Sequence, residues 1–318
     1  MELQTKVKLP NPDFTIDHQH SLLSIGSCFS ENIGRKFNYF KFNIQVNPFG
    51  QQYNPLSVAA GIERLLRNKE YTNSDLIFHN ELYHSFDHHS DFSSANEVDA
   101  LQHINQAFRK SAHALLHANY LFLTFGTAHY FEHIESSKIV SNCHKFPSKT
   151  FHQKLATPNE IVDALNTALF VLMEVNPKLK VIFTVSPVRY FAFGHFENSL
   201  SKAHLFTSIG ELIATNAAFS YFPAYEIILD ELRDYRFYAE DMIHPNAIAI
   251  EYVWNKLAEC YFDSNTIGIN KEIEDIQKII HHRPRNENSI AHQKLLDNCK
   301  LKIDALKHKQ NIDFRHSL

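Results

Sequence analysis

Two hydrophobic periods alternate along the chain. Short, largely apolar runs occupy residues 22–26, 43–46, 120–125, 180–185 and 225–229. Between them, apolar residues recur three or four apart. Ile33, Phe37 and Phe40 do so within 30–40; Val58, Ile62, Leu65 and Leu66 within 55–67; and Val98, Leu101, Ile104, Phe108 and Ala112 within 96–117. Thr157-Pro158-Asn159-Glu160 reads as a capping box with proline at the first helical position, and Ile161, Leu165, Leu169 and Leu172 carry that helix on. Further helices are predicted over 199–220 and 247–262. Residues 71–94 read as a loop or hairpin, and 129–156 as a long connection.

Strands alternating with helices predict a parallel sheet covered on both faces, an α/β fold in three α/β/α layers. The run Tyr-Leu-Phe-Leu-Thr-Phe at 120–125 suits a strand buried on both sides. In such sheets, ligands bind beyond the carboxyl ends of the strands. The pattern shifts after about Ser264. Ile273, Ile276 and Ile280 share one helical face, and Leu295, Cys299, Ile303 and Leu306 another, with Arg283-Pro284-Arg285-Asn286 between. This divides the chain into a domain over 1–264 and a C-terminal helical hairpin over 265–318. The hairpin either packs on the domain or joins copies into a homo-oligomer.

Composition narrows the function. A chain of 318 residues, 44% hydrophobic and 21% charged, fits an ordinary globular domain with an appendage. A formal net charge of -4 offers no field for nucleic acid or an anionic membrane. No apolar run approaches a membrane span, and residues 1–20 hold no apolar leader segment, so a cytoplasmic location is expected. The four cysteines form no C-x-x-C pair and read as free thiols. No G-x-G-x-x-G follows the first strand, and no cofactor is expected. His84, Asp87, His88, His89 and Asp91 are ligand types, but their spacing matches no metal template, so they are read as a solvated or substrate-lining loop and no metal is assigned.

Two stretches carry chemistry. Gly26-Ser27-Cys28 sits where a strand turns into a helix, placing Ser27 and Cys28 at the positive helix end. Backbone N–H groups there favour an oxyanion and should lower a thiol pKa. Ser27 as a helix cap and Cys28 as a buried filler is the competing reading. The second stretch is Asp241-Met242-Ile243-His244-Pro245-Asn246. Its carboxylate can take the Nδ1 proton of the imidazole and leave Nε2 as a base. Otherwise Asp241 caps the next helix beside a surface histidine. Arg189, Lys145 and Lys202 are candidates for an anionic substrate group or for plain ion pairs. Tyr53, Tyr130, Phe131 and Tyr190 are candidates for stacking on a sugar or for packing.

Gly26-Ser27-Cys28-Phe29-Ser30 resembles the signature of the GSCFA family, whose motif ends in Ala where this chain has Ser30. Further stretches are similar to that family: Asn47-Pro48-Phe49-Gly50 with Tyr53-Asn54-Pro55, Phe125-Gly126-Thr127-Ala128, and Asn142-Cys143-His144-Lys145. So are Thr184-Val185-Ser186-Pro187-Val188-Arg189, and Tyr235-Arg236-Phe237-Tyr238 leading into the Asp-x-x-His stretch. The GSCFA family in turn resembles the SGNH (GDSL-like) hydrolases, esterases and acyl transferases on a flavodoxin-like sheet. The resemblance implies an esterase acting on an O-acyl ester of a small molecule or glycan, with Cys28 or Ser27 as nucleophile, His244 as base and Asp241 orienting it. An ungapped match puts Cys28, not Ser27, at the SGNH nucleophile position. Gly126-Thr127-Ala128 lacks the SGNH asparagine, for which Thr127 or Asn142 would substitute, with Gly50 N–H or Asn47 as a further oxyanion donor. Acyl transfer, and binding of an acyl or glycan group without turnover, are the alternatives.

Overall fold

The structure, a computed structural model, describes residues 4–286, 288–312 and 314. In chain order it runs β1 (Ser21–Gly26), α1 (Cys28–Tyr39), β2 (Asn43–Val46), α2 (Pro55–Leu66), β3 (Ile77–His79), β4 (Leu82–His84) and α3 (Glu97–His117). Then follow β5 (Tyr120–Phe125), β6 (His129–His133), β7 (Lys138–Val140), β8 (Phe151–Leu155), α4 (Pro158–Val175), β9 (Lys180–Val185) and α5 (His195–Thr215). The chain continues through β10 (Phe219–Tyr221), the single turn α6 (Ala224–Glu226), α7 (Ala247–Tyr261), α8 (Ser264–Ile280) and α9 (Ile290–Gln310).

The central sheet is parallel, in the order β10-β9-β5-β1-β2. Counting only its own strands this is 5-4-3-1-2, the doubly wound order of flavodoxin-like sheets. Its side chains divide by the two-residue period of a strand. Leu23, Ile25, Leu121, Leu123, Val181 and Phe183 enter one core, which α2, α3, α4 and α5 cover. Leu22, Tyr120, Phe122 and Ile182 enter the other, under α1, α7, α8 and α9. Ile273 and Ile276 of α8 and Cys299, Ile303 and Leu306 of α9 lie in that second core with Phe37 and Trp254, so the C-terminal hairpin packs on the domain. Among the described residues, no helix is long and apolar enough to cross a membrane.

Two expectations need correction. The fifth strand is Phe219–Tyr221, not 225–229. Helix α5 stops at Thr215, where the Asn216 side chain accepts the Ala218 N–H at 2.9 Å, and the chain extends from there to pair with β9. Pro223 then starts a helical turn, closed by Ile227 N–H to the Pro223 carbonyl at 3.0 Å, and this turn buries Ile227 and Ile228. An apolar run this short suits a buried turn as well as a strand. The second correction concerns 129–156, which folds into the antiparallel sheet β7-β6-β8 rather than running as a plain connection.

Candidate active site

At the end of β1 the chain turns so tightly that it touches the neighbouring strand. Gly26 has φ +156°, and a Cβ there would lie 2.2 Å from the Thr124 carbonyl oxygen. The turn is held by Gly26 N–H to Asn47 Oδ1 (2.9 Å), Ser27 N–H to the Thr124 carbonyl (3.1 Å) and Gln52 N–H to the Gly26 carbonyl (2.9 Å). Beneath it, the Ser24 and Ser30 hydroxyls meet at 2.6 Å. Ser27 caps α1: its backbone is extended, its Oγ accepts Phe29 N–H at 3.3 Å, and it is only 1% exposed.

Cys28, the first residue of α1, is half-buried and turns toward a cavity. Its thiol departs from the sequence expectation. Burial raises its pKa above the ordinary thiol value, against the pull of the Phe29 and Cys28 backbone N–H groups and the Lys202 ammonium. The helix end is present, but desolvation of the thiolate outweighs it.

The second chemical stretch folds on itself. Asp241 Oδ1 accepts the N–H groups of Ile243 and His244, each at 2.9 Å, and Oδ2 takes His244 Nδ1 at 2.6 Å. These donors hold the Asp241 carboxyl at about pKa 2. The Ala239 N–H to His244 carbonyl bond (2.7 Å) and a bridge between Tyr238 and Pro245 close the loop. Pro245 is buried, and Asn246 caps α7 through Ala249 N–H at 3.1 Å. The imidazole is 48% exposed, with Nδ1 engaged and Nε2 as the remaining ring nitrogen.

One cavity of ≈ 570 Å³ gathers Ser27, Cys28, Gly126, Thr127, Arg189 and His244. Phe131, Val140, Val188 and Phe191 give it an apolar wall, and the partly exposed Tyr53 and Tyr190 also line it. This is the size and character of a small-molecule site. The other named candidates lie elsewhere. Asn47 and Gly50 line a separate depression with Glu31 and Arg35, and Asn47 supports the Gly26 turn from behind. The Asn142 side chain accepts His144 N–H at 2.9 Å, shaping its own turn. Gly126 and Thr127 do line the cavity, but both their N–H groups go to the Tyr53 carbonyl, at 2.8 and 3.0 Å. Tyr130 belongs to the core rather than to the mouth. In the histidine-rich loop His84 and His88 are buried, while Asp91 is exposed. His84 stacks on His144, Asp87 accepts the Tyr71 hydroxyl at 2.9 Å, and burial holds His88 neutral, its pKa pushed down to about 3.

Asn54 and Ser186, which the sequence marks only as parts of family-like stretches, also line the cavity. Sequence reading left Lys202 among the surface candidates, yet Lys202 is buried. Its Nζ donates to the carbonyls of Gly126 (2.7 Å) and Ser186 (2.6 Å), tying together the segments that follow β5 and β9. Burial pulls its pKa down to about 7, with the Cys28 charge acting the other way. The missed signal was helical spacing: Lys202 shares the face of α5 that carries Asn198, Ser201, Leu205, Ile209 and Leu212.

Among solved structures, the fold is similar to a Clostridium thermocellum family 3 carbohydrate esterase, at 9% identity and a TM-score of 0.36, covering 79% of this chain and 97% of that one. No curated protein matches the sequence. The profile of the GSCFA family matches residues 21–257, and that of the GSCFA domain protein C-terminal domain matches residues 273–318. With most of its length matched and its signature stretch at the cavity, the chain belongs to the GSCFA family.

Proposed function

We propose that this protein is an esterase-like acyl hydrolase that works through the Cys28 thiol. The observation that carries the reading is that Cys28 and His244 line the same cavity while Asp241 Oδ2 holds His244 Nδ1 at 2.6 Å. A carboxylate on Nδ1 selects the tautomer whose Nε2 accepts a proton. Because burial keeps the Cys28 thiol protonated, the base has to act during attack rather than start from a standing thiolate.

In the proposed cycle, Cys28 Sγ bonds to the acyl carbon as its proton passes to His244 Nε2. The tetrahedral intermediate collapses, the C–O bond to the alcohol breaks, and His244 returns the proton to the leaving oxygen. Water, deprotonated by His244, then attacks the thioester, releases the acid and restores the thiol. Of the first N–H groups of α1, that of Phe29 goes to Ser27 Oγ, while that of Cys28, which helix geometry leaves without an intrahelical partner, suits the oxyanion. Asn54 adds an amide N–H beyond the one it gives to Ser57 Oγ at 3.0 Å, and is the candidate for the role earlier given to Asn142. Ser27 is the poorer nucleophile because its hydroxyl is buried and serves as the cap.

The test is the intact mass of protein exposed to p-nitrophenyl acetate. Acetyl on Cys28 is expected in wild type and in Ser27→Ala, and none in Cys28→Ala or His244→Ala. Acetyl lost only in Ser27→Ala would move the nucleophile to Ser27. A correctly folded wild type that neither takes acetyl nor consumes any of a panel of aryl and sugar acetates would replace the enzyme reading with that of a binding protein. A rate that climbs with added acceptor alcohol would make the activity transfer.

A further inference from the structure

A second groove of ≈ 410 Å³ opens beside the cavity and shares Arg189, Phe191 and Ile243 with it. Arg233, Tyr235 and Tyr238 also line it, with His195, the first residue of α5. Among the described residues, neither Arg189 nor Arg233 makes a hydrogen bond or ion pair, although both are exposed beside a polar loop. Among the described residues, the one acid lining the groove, Asp234, is spoken for: Arg236 takes it through its guanidinium at 2.7 Å and its N–H at 2.8 Å, and this holds the carboxyl at about pKa 2. Two forked, always-charged donors are thus left facing one depression.

We infer that this groove binds an oxyanion, a phosphate or a carboxylate, on the alcohol half of the substrate. The proposal rests on the acyl-hydrolase reading above and names its substrate class: an O-acyl ester whose acyl group lies against Phe131, Val140 and Val188 and whose leaving alcohol is anionic. The geometry gives the direction. Phe131, Val140 and Val188 belong to the cavity alone and Arg233 to the groove alone, while Arg189 and Ile243, the neighbour in sequence of the His244 that protonates the leaving oxygen, line both. Tyr235, largely exposed, offers a ring face to a planar or sugar leaving group.

The test compares phenyl acetate, 4-acetoxybenzoate and 4-acetoxyphenyl phosphate on wild type and Arg233→Gln. The quantity read is kcat/KM for each anionic ester relative to phenyl acetate. Comparing that ratio between the two proteins cancels the intrinsic reactivity of the leaving groups. The ratio is expected to fall by about 10- to 100-fold in Arg233→Gln, the value of one charge-assisted contact, and to narrow in wild type as salt is added. Which anionic ester loses more identifies the group as phosphate or carboxylate. An unchanged ratio overturns the proposal and leaves the hydrolase reading standing. Calorimetric titration with phenyl phosphate separates the two failures. Binding that Arg233→Gln abolishes supports the groove even if no ester acylates Cys28, an outcome that would instead sink the hydrolase reading. Absence of binding to wild type overturns the groove.

Discussion

Cys28 stands on a turn braced from every side, whereas His244 stands on a loop held mainly by its own hydrogen bonds. The turn is fixed by the sheet (Thr124), by the segment after β2 (Asn47, Gln52) and by its own cap (Ser27). The His244 loop is anchored by buried Pro245 and by Asn246, whose Nδ2 reaches the Arg236 carbonyl at 2.7 Å, and is otherwise open to solvent. One half of the site is therefore coupled to folding and the other nearly free of it. Substitutions should separate along that line: activity without stability at the loop, both together at the turn.

The largest expected effect is on the loop side. His244→Ala should lower ester turnover by about 10³-fold, within the usual range for a general base, and shift stability by no more than about 0.5 kcal/mol, as for an exposed residue. Asp241→Asn should lower turnover by a smaller factor, since the amide can accept the two backbone N–H groups but cannot hold the imidazole in its charged state. Steady-state kinetics beside denaturant melts check both. A His244→Ala protein that loses several kcal/mol would break the contrast between the two halves.

On the turn side, Gly26→Ala should destabilise by more than about 3 kcal/mol, because the added Cβ overlaps a backbone carbonyl that cannot swing away. Chemical unfolding of the variant measures it. A loss under about 1 kcal/mol would show that the turn yields, and that the thiol is less firmly placed than the contacts indicate.

The same contrast explains what could be read in the sequence. The β1, β5 and β9 runs were legible because strands buried on both faces are nearly continuous apolar segments with clear ends. The Asp241–His244 pair was legible because its partners are three residues apart. The thiol's environment was not. It depends on Lys202 and on the Phe29 and Cys28 N–H groups balanced against burial, and burial by distant segments leaves no local mark. The place of Gly50 and Asn47 left no local mark either: both line a depression separate from the Cys28 cavity, and Asn47 holds the Gly26 turn. β10 was misplaced because Tyr225 to Leu229 is apolar enough for either structure, and Pro223 decided it.

Lys202 gives a pH-dependent view of the braced half. Its folded pKa of about 7 lies below the ordinary lysine value of 10.5, so between those limits the unfolded chain binds more protons. Stability from this group therefore rises with pH across that window, by up to about 1.4 kcal/mol per pH unit. Cys28, Cys143 and Cys260 have raised thiol pKa values and act in the opposite sense above pH 9, so the clean interval is pH 7 to 8.5. Lys202→Met should lose the slope, as measured by urea melts of both proteins across that interval. Equal slopes would mean that Lys202 stays charged in both states, tied to its two carbonyls.

The smallest effect is the sharpest test of how the turn divides its labour. In Ser27→Ala the Phe29 N–H loses its cap, which should destabilise by about 1 kcal/mol. That change acts on α1, whose first residue carries the thiol, so kcat should fall only by the few-fold that a slightly looser helix end allows, with acetyl still appearing on Cys28. Ser27 and Cys28 are adjacent and both line the cavity, so composition and proximity cannot tell them apart. Their hydrogen bonding can. A serine whose oxygen already serves as the helix cap must give up that bond to reach a substrate, while the Phe29 and Cys28 N–H groups favour the thiolate that develops on Cys28 during attack. If Ser27→Ala instead erased turnover at the same modest loss of stability, the cap would prove dispensable to the fold and required for the chemistry, and the two residues would exchange roles.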